Sequence, residues 1–289
     1  MNNVNPTVTV RMSAYNHERY IEQAILSIVN QTYQDFELLV IDDGSKDQTP
    51  AILKRLSEKY GFHFEVQQNQ GLCPTLNKLI RRARGKYITG CASDDCWPPM
   101  RLEEQVAQLE GRPELDVVLG KHTIIDGEGQ VVESGWRMRP PLRGRKEYYP
   151  LLRRKRSFEA GTMMVRAQVF ESVGLYDVSI DVEDFDWMLR ATKVCNIGYC
   201  NRVWLYRRKH ESNWTVTLKG KQNIRSSAAK LRQKLGFKDG LIFWYYGVPR
   251  DFNVAVKSKG RSKGLYYLLL PLFLFNRDYL RVLYKSVCK

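Results

Sequence analysis

The chain changes hydrophobic period repeatedly between residues 7 and 91, and this alternation limits the possible folds more than any other feature. β-rich runs at 7–12, 36–41, 62–66 and 87–91 are separated by stretches at helical spacing. The first such stretch, 17–30, places Tyr20, Ile21, Ala24, Ile25 and Ile28 on one face. The second, 48–60, does so with Ile52, Leu53 and Leu56, and the third, 73–83, stops at Arg84-Gly85. Residues 36–41 are almost continuously apolar, as in a strand covered on both faces. A β-α-β-α-β-α-β order implies parallel strands joined by right-handed crossovers. The expected fold class is α/β, a mainly parallel sheet flanked by helices.

In such sheets ligands bind outside the carboxyl ends of the strands, and acidic residues collect there in this chain. Strand 36–41 runs into Asp42-Asp43-Gly44-Ser45, and strand 87–91 into Ser93-Asp94-Asp95. Gly44 relieves the first turn, and Ser45 or Asp47 can cap the next helix. Two adjacent Asp exceed what a cap needs. One or two carboxylates at a strand end suit Mg2+ or Mn2+, cations that fill their shell with substrate phosphates and water. Glu183-Asp184-Phe185-Asp186 opens a further helix, 183–192, with Phe185, Met188 and Leu189 on one side. The helix dipole favours acids in a first turn. Three carboxylates in four residues also repel one another, which raises the pKa of one and suits a general base.

Past residue 99 the pattern changes. A helix is expected at 100–109, a strand near 117–119, and a hairpin over 123–132 that turns at Asp126-Gly127-Glu128-Gly129. A strand at 158–165 and a short helix at 167–173 follow. Residues 140–156 are rich in Arg and Pro, lack a period and read as a loop. His210, with Asn213 and Trp214 beyond it, follows Arg207-Arg208-Lys209 and reads as a phosphate-facing segment or a structural one.

A length of 289 residues allows one large domain or two small ones. A hydrophobic share of 43% with 27% charged residues excludes a disordered or fibrous chain. The net charge of +15 favours polyanions, whether phosphate-bearing ligands, nucleic acid or an anionic membrane leaflet, so the acid clusters run against the background. The six cysteines form no CxxC pair and have no His at a zinc-type offset, which points to reduced thiols in the cytosol. The first residues lack the apolar core of a signal peptide, and no stretch reaches the ~20 apolar residues of a membrane span.

Taken in order, the motifs resemble those of the family 2 glycosyltransferases. Residues 7–12 with Ser13-Ala14-Tyr15-Asn16 resemble that family's opening strand and turn. Ser27-Ile28-Val29-Asn30-Gln31-Thr32-Tyr33, Asp42-Asp43-Gly44-Ser45 and Asn69-Gln70-Gly71 with Asn77 come next. Gly85-Lys86-Tyr87-Ile88 leads into Ser93-Asp94-Asp95, and residues 161–166 and Glu183-Asp184-x-Asp186 close the series. The resemblance covers roughly residues 6–214. The family commonly writes its metal motif Asp-x-Asp-Asp, and here Ala92 takes the first place.

The resemblance implies a GT-A, Rossmann-like fold that moves a sugar, with inversion, from a nucleotide-sugar donor, a UDP-sugar by family habit. It implies a catalytic domain over 1–218, with a nucleotide-sugar half to about 120 and an acceptor half from 121. Ser13, Ala14, Tyr15 and Asn16 would line the nucleobase pocket, Asp43 would accept from the uracil with Asp42 beside it, and Asn77 and Ser93 would face the donor. Asp94 or Asp95 would hold Mn2+ or Mg2+, the other could hold the ribose, and His210 would approach the metal or diphosphate. Asp184 would be the general base, with Glu183 and Asp186 orienting acceptor or base.

Residues 219–289 form a basic, aromatic helical extension. Lys257, Lys259, Arg261 and Lys263 precede an apolar run at 265–275, and Arg277, Arg281 and Lys285 follow it. That pattern suits contact with an anionic membrane surface. The expected place is the cytoplasm, peripheral at the inner face of the plasma membrane. The acceptor is then a glycan or a lipid-linked glycan, as in O-antigen, capsule or lipopolysaccharide assembly. A nucleotidyltransferase ordinarily carries a Gly-rich basic loop after its first strand, where this chain has Ser13-Ala14-Tyr15-Asn16-His17. A nucleic-acid-binding protein would account for the charge but not for the acidic sites, so no nucleic acid partner is expected.

Overall fold

Strand β1 (Val8–Ala14) alternates little because it is the middle of a buried sheet. Its parallel neighbours are β2 (Phe36–Asp42) on one side and β4 (Tyr87–Gly90) on the other, and β3 (His63–Val66) extends the sheet beyond β2. Helices α1 (Ile21–Val29), α2 (Thr49–Tyr60) and α3 (Leu72–Arg82) make the crossovers. Each turns its apolar stripe inward; α1 buries Ile21, Ala24, Ile25 and Ile28 on β1 and β2. Gly85 is required where β4 enters, because a Cβ there would lie 2.4 Å from the Thr9 nitrogen.

These observations come from a computed structural model, which describes residues 5–133, 159–181 and 183–213 with 217, 222–223, 226–227, 230–231 and 234. The chain divides into two units, Met1–Tyr149 with Phe158–Ser227 and Pro150–Ser157 with Ala228–Lys289; the account below concerns the first. The basic loop at 140–156, Trp214 and the apolar run at 265–275 lie outside the described residues, as does most of the 219–289 extension. Among the described residues, no helix is long and apolar enough to cross a membrane.

After α4 (Arg101–Glu110) the sheet stops being parallel. Its second half holds β5 (Val117–Ile125), β6 (Val131–Glu133), β7 (Met164–Arg166) and β8 (Ile197–Arg208). The strand order is β3-β2-β1-β4-β7-β5-β6, with β8 also on β5. β7 is antiparallel to both β4 and β5, whereas β8 runs parallel to β5. The expected strand at 117–119 and the first arm of the expected hairpin are one strand, β5, which then turns at 126–130 into β6. The expected strand at 158–165 is corrected. A 3-10 turn, Ala160–Thr162, precedes β7 and lets the Thr162 hydroxyl bond the Gly120 backbone on β5. β8 was not foreseen. Helices α5 (Val169–Val173) and α6 (Glu183–Val194) complete the unit, the second burying Trp187, Met188 and Leu189 rather than Phe185.

In the order 3-2-1-4 successive strands are added outward from β1 to one side and then, with β4, to the other, so the winding of the sheet switches between β1 and β4. That switch opens a crevice outside their carboxyl ends. The turns after β1, β2 and β4 all meet there.

Candidate active site

The turn after β1 is built on the turn after β2. Asn16 takes a left-handed φ of 53°, which Asn tolerates. Its N–H donates to Ser45 Oγ at 2.8 Å, and its Oδ1 accepts from the Lys46 N–H at 2.8 Å. Tyr15 is thereby held out in the crevice, 46% exposed. Asp42 is fully buried beneath and accepts from the Gly44 N–H, the Ser45 N–H and the Ser45 hydroxyl. Asp43 accepts from Gln67 Nε2 and the Gln70 N–H on one oxygen and from the Gly71 N–H on the other, so it fixes loop 67–71. Gly44, at φ 80°, passes so close to that loop that a Cβ would sit 2.9 Å from the Asn69 nitrogen. Asp42 has no surface left for a ligand, while Asp43 keeps a lone pair on its second oxygen.

The turn after β4 presents Asp94. Its Oδ2 lies 3.1 Å from His210 Nε2, 3.1 Å from Asn213 Nδ2 and 4.0 Å from His17 Nε2. His17, Asp94 and His210 each offer one ligand atom, all within 4.8 Å of one another. Burial pulls the His17 imidazole below its ordinary value, against the attraction of Asp94, so its ring keeps a free lone pair at neutral pH. A carboxylate with two imidazoles from three separate turns fits a divalent cation with open positions. Asp95 points the other way. It is buried, accepts from the Arg208 N–H at 2.8 Å, and is pushed well above the usual carboxylate range by burial and by Asp94. Of the two candidate ligands the geometry offers Asp94. Ser93 serves His17, its Oγ 2.7 Å from Nδ1.

Arg208 ties this corner together although it is buried. Its guanidinium donates to the carbonyls of Asp94, Asp126 and Gly127 and to Gln23 Oε1. It also lies 5.0 Å from the Tyr20 ring centroid, and that ring lies 4.6 Å from His210. The sequence showed Arg208 only as part of a basic stretch, and His17 only as the start of a helix. The helix begins at Ile21 instead, leaving His17 in the turn.

Glu183 and Asp184 open α6. Asp184 accepts from the Phe185 N–H at 2.6 Å. Burial raises both carboxyls, Glu183 to about 8 and Asp184 to about 6, and Asp184 adds to the rise of Glu183. The same two charges, Glu159 and Arg207, act on Asp184 and on Asp95. Asp186 does not join the pair; the side chain is buried and bonds Arg190 Nε at 2.9 Å. Asn77 is also placed in the interior, not at the donor site. Its Nδ2 donates to the Tyr176 carbonyl and its Oδ1 accepts from the Tyr176 N–H. Tyr176 in turn accepts from Arg11, whose charge partly offsets the rise at Glu183.

Comparison with known proteins speaks to the family and the fold. Residues 9–174 match the profile of "Glycosyl transferase family 2". The chain is 32% identical over 219 residues to EpsE of Bacillus subtilis, named as a glycosyltransferase, covering 73% of this chain and 76% of EpsE. Among solved structures, S. aureus TarS 1–349 in complex with UDP-GlcNAc superposes with a TM-score of 0.65 at 17% identity, over 97% of this chain and 80% of that one. A longer TarS chain is spanned over 45% of its length. The mannosyltransferase PcManGT from Pyrobaculum calidifontis, in complex with GDP-Man and Mn2+, gives 0.61 at 17% identity, over 99% and 87%. At such identities the structures speak for the fold, which is GT-A. The profile match over more than half the sequence, together with EpsE, carries the assignment: the chain belongs to glycosyl transferase family 2.

Proposed function

We propose that the chain transfers a sugar from a UDP-sugar to a hydroxyl of a glycan or lipid-linked acceptor, with inversion at the anomeric carbon. The observation that carries this reading is the meeting of Asp94, His17 and His210 outside the carboxyl end of β4, their ligand atoms within 4.8 Å of one another, in a chain that also opens α6 with two raised carboxyls, Glu183 and Asp184. TarS, bound to UDP-GlcNAc, and PcManGT, bound to GDP-Man and Mn2+, support a nucleotide-sugar donor.

Tyr15 lies open for a nucleobase, and Asp43 holds the loop beside it. His17, Asp94 and His210 would hold Mn2+ or Mg2+, which when bound neutralises the diphosphate leaving group. Asp184 removes the proton of the acceptor hydroxyl as its oxygen bonds the anomeric carbon and the bond to the diphosphate breaks. Burial makes Asp184 a stronger base than an exposed carboxylate, yet leaves it ionised at neutral pH. Glu183, raised to about 8, keeps its proton there and donates a hydrogen bond rather than accepting one.

The test is a transfer assay with a panel of UDP-sugars and glycan acceptors, the anomeric configuration of the product read by proton NMR. Wild type should give an inverted product, and Asp184→Asn should transfer at least about 10²-fold more slowly while still binding UDP. Turnover by Asp184→Asn at the wild-type rate would remove Asp184 from the base role. The cations flanking the apolar run at 265–275 support an acceptor at an anionic membrane surface. Truncation after Gly240 should then release the protein from anionic liposomes; unchanged co-sedimentation would contradict the membrane contact.

A further inference from the structure

The geometry points to His17 as a third protein ligand: we propose that the chain loads a first-row transition dication, of the Mn2+ type, on His17, Asp94 and His210 before any nucleotide arrives. This rests on the functional reading above and adds to it an order of binding and a choice of cation.

The two imidazoles are arranged alike. His17 Nδ1 lies 2.7 Å from Ser93 Oγ, and His210 Nδ1 lies 2.8 Å from Ser212 Oγ. In both rings Nε2 is thereby turned to Asp94 Oδ2, and Asn213 Nδ2, 2.8 Å from His210 Nε2, is the neighbour a cation would displace there. A ligating histidine typically uses one nitrogen for the metal and anchors the other on a hydrogen-bond partner, which fixes tautomer and orientation. Two histidines with that anchoring, aimed at one carboxylate oxygen, exceed what a mere hydrogen-bonded cluster requires. The His210 ring is further braced by Tyr20, itself backed by Arg208. The His17 backbone N–H donates to Thr49 Oγ1 at 2.9 Å, so the turn that carries His17 is fixed against α2.

Chemistry sets the order and the choice. Mg2+ sites usually take one or two carboxylates and depend on substrate phosphates for the rest. Three protein ligands lessen that dependence, so the cation binds without the diphosphate. Two nitrogen donors disfavour Mg2+, which prefers oxygen, relative to Mn2+ and later metals of the row. His17 also directly follows Tyr15 and Asn16, so a cation on its ring steadies the turn that meets the nucleobase.

The experiment is a Mn2+ titration of the full chain without nucleotide, followed by loss of the free-ion electron paramagnetic resonance signal and by calorimetry. Wild type should bind one ion, with Mg2+ at least about ten-fold weaker. His17→Ala should weaken Mn2+ binding at least about ten-fold, the size that loss of an outer partner alone produces. Its circular dichroism and thermal unfolding without metal should match wild type. Saturable Mn2+ binding of equal strength in His17→Ala, or no binding by folded wild type until UDP is added, would overturn the proposal. Should His17→Ala misfold, pulsed resonance on the wild-type Mn2+ complex decides: two coupled imidazole nitrogens are expected, and one or none overturns it. A parallel UDP titration separates the two readings. Cation binding only in company with UDP leaves the transferase standing while the loading order fails. Cation binding without any nucleotide affinity leaves the site standing while the transferase reading fails.

Discussion

Two pairs of neighbouring acids occupy corresponding places in the two halves of this molecule, and they do different work. Asp42 and Asp43 end β2 in the parallel half, and their four oxygens are engaged by backbone N–H groups, Ser45 and Gln67. Glu183 and Asp184 open α6 in the mixed half, where burial outweighs the few donors they meet and both are raised. Carboxylates that meet three donors each hold backbone in place; under-served ones keep proton affinity to spend on a substrate. A run of acids at the end of an element therefore says that something is organised there, and only the donors around it say whether that is a turn or a reaction.

Substitutions at the two pairs should separate these roles. The largest effect is expected for Asp184→Asn, which should lower kcat by about 10²–10⁴-fold with UDP binding unchanged, as loss of a general base does; single-turnover transfer against calorimetric UDP binding checks it. Asp42→Ala should show the opposite profile. It leaves the Gly44 and Ser45 N–H groups and the Ser45 hydroxyl unpaired at a buried site. A loss of about 2–4 kcal/mol in urea unfolding is expected, at about 1–3 kcal/mol for each orphaned group that water cannot reach.

A third consequence concerns pH. Asp184 has a folded-state pKa of about 6 against an ordinary 3.8, so the folded chain binds the extra proton. Stability carried by that proton is lost as pH rises through this window. Asp184→Asn should then gain on wild type across the window and keep the gain above it, while its activity stays low. Wild-type kcat should rise over the acid limb near pH 6, as the base ionises. Urea unfolding and rate profiles over the same pH series test both; a stability difference that does not change with pH would contradict the raised value. The smallest effect is expected at the brace. Tyr20→Leu removes the ring between Arg208 and His210 and should weaken cation binding about five-fold, for ~1 kcal/mol of ring and cation–π contact.

Legibility in the sequence followed locality. The parallel half was readable because its periods are uninterrupted and its crossovers join neighbours in the chain; β1 to β4 and their helices lie within a few residues of expectation. β8 was not, because its pattern is broken. Tyr199 is buried, Asn201 and Arg202 are exposed, and Trp204 and Leu205 are buried in succession, where the register on β5 shifts around Leu119 and Lys121. β7 was misplaced because Thr162 is held by a partner on another strand, which no local period records. At the site, Asp94, His210 and Asp184 could be named from motifs. His17 could not, since its anchor, Ser93, is 76 residues away. Arg208 read as one cation among three, although its donors turn inward to carbonyls, Gln23 and Cys96. Asn77 matched a motif for the donor, yet its amide is used on Tyr176, 99 residues on.

The account stands most directly on one measurement, a calorimetric titration of the protein with UDP in the presence of Mn2+ and again in EDTA. It expects saturable, cation-dependent UDP binding in wild type and the same binding in Asp184→Asn, because in the proposed reaction the base meets the acceptor hydroxyl and not the nucleotide. Absence of UDP binding with Mn2+ present, from a protein whose unfolding shows it to be intact, would contradict it.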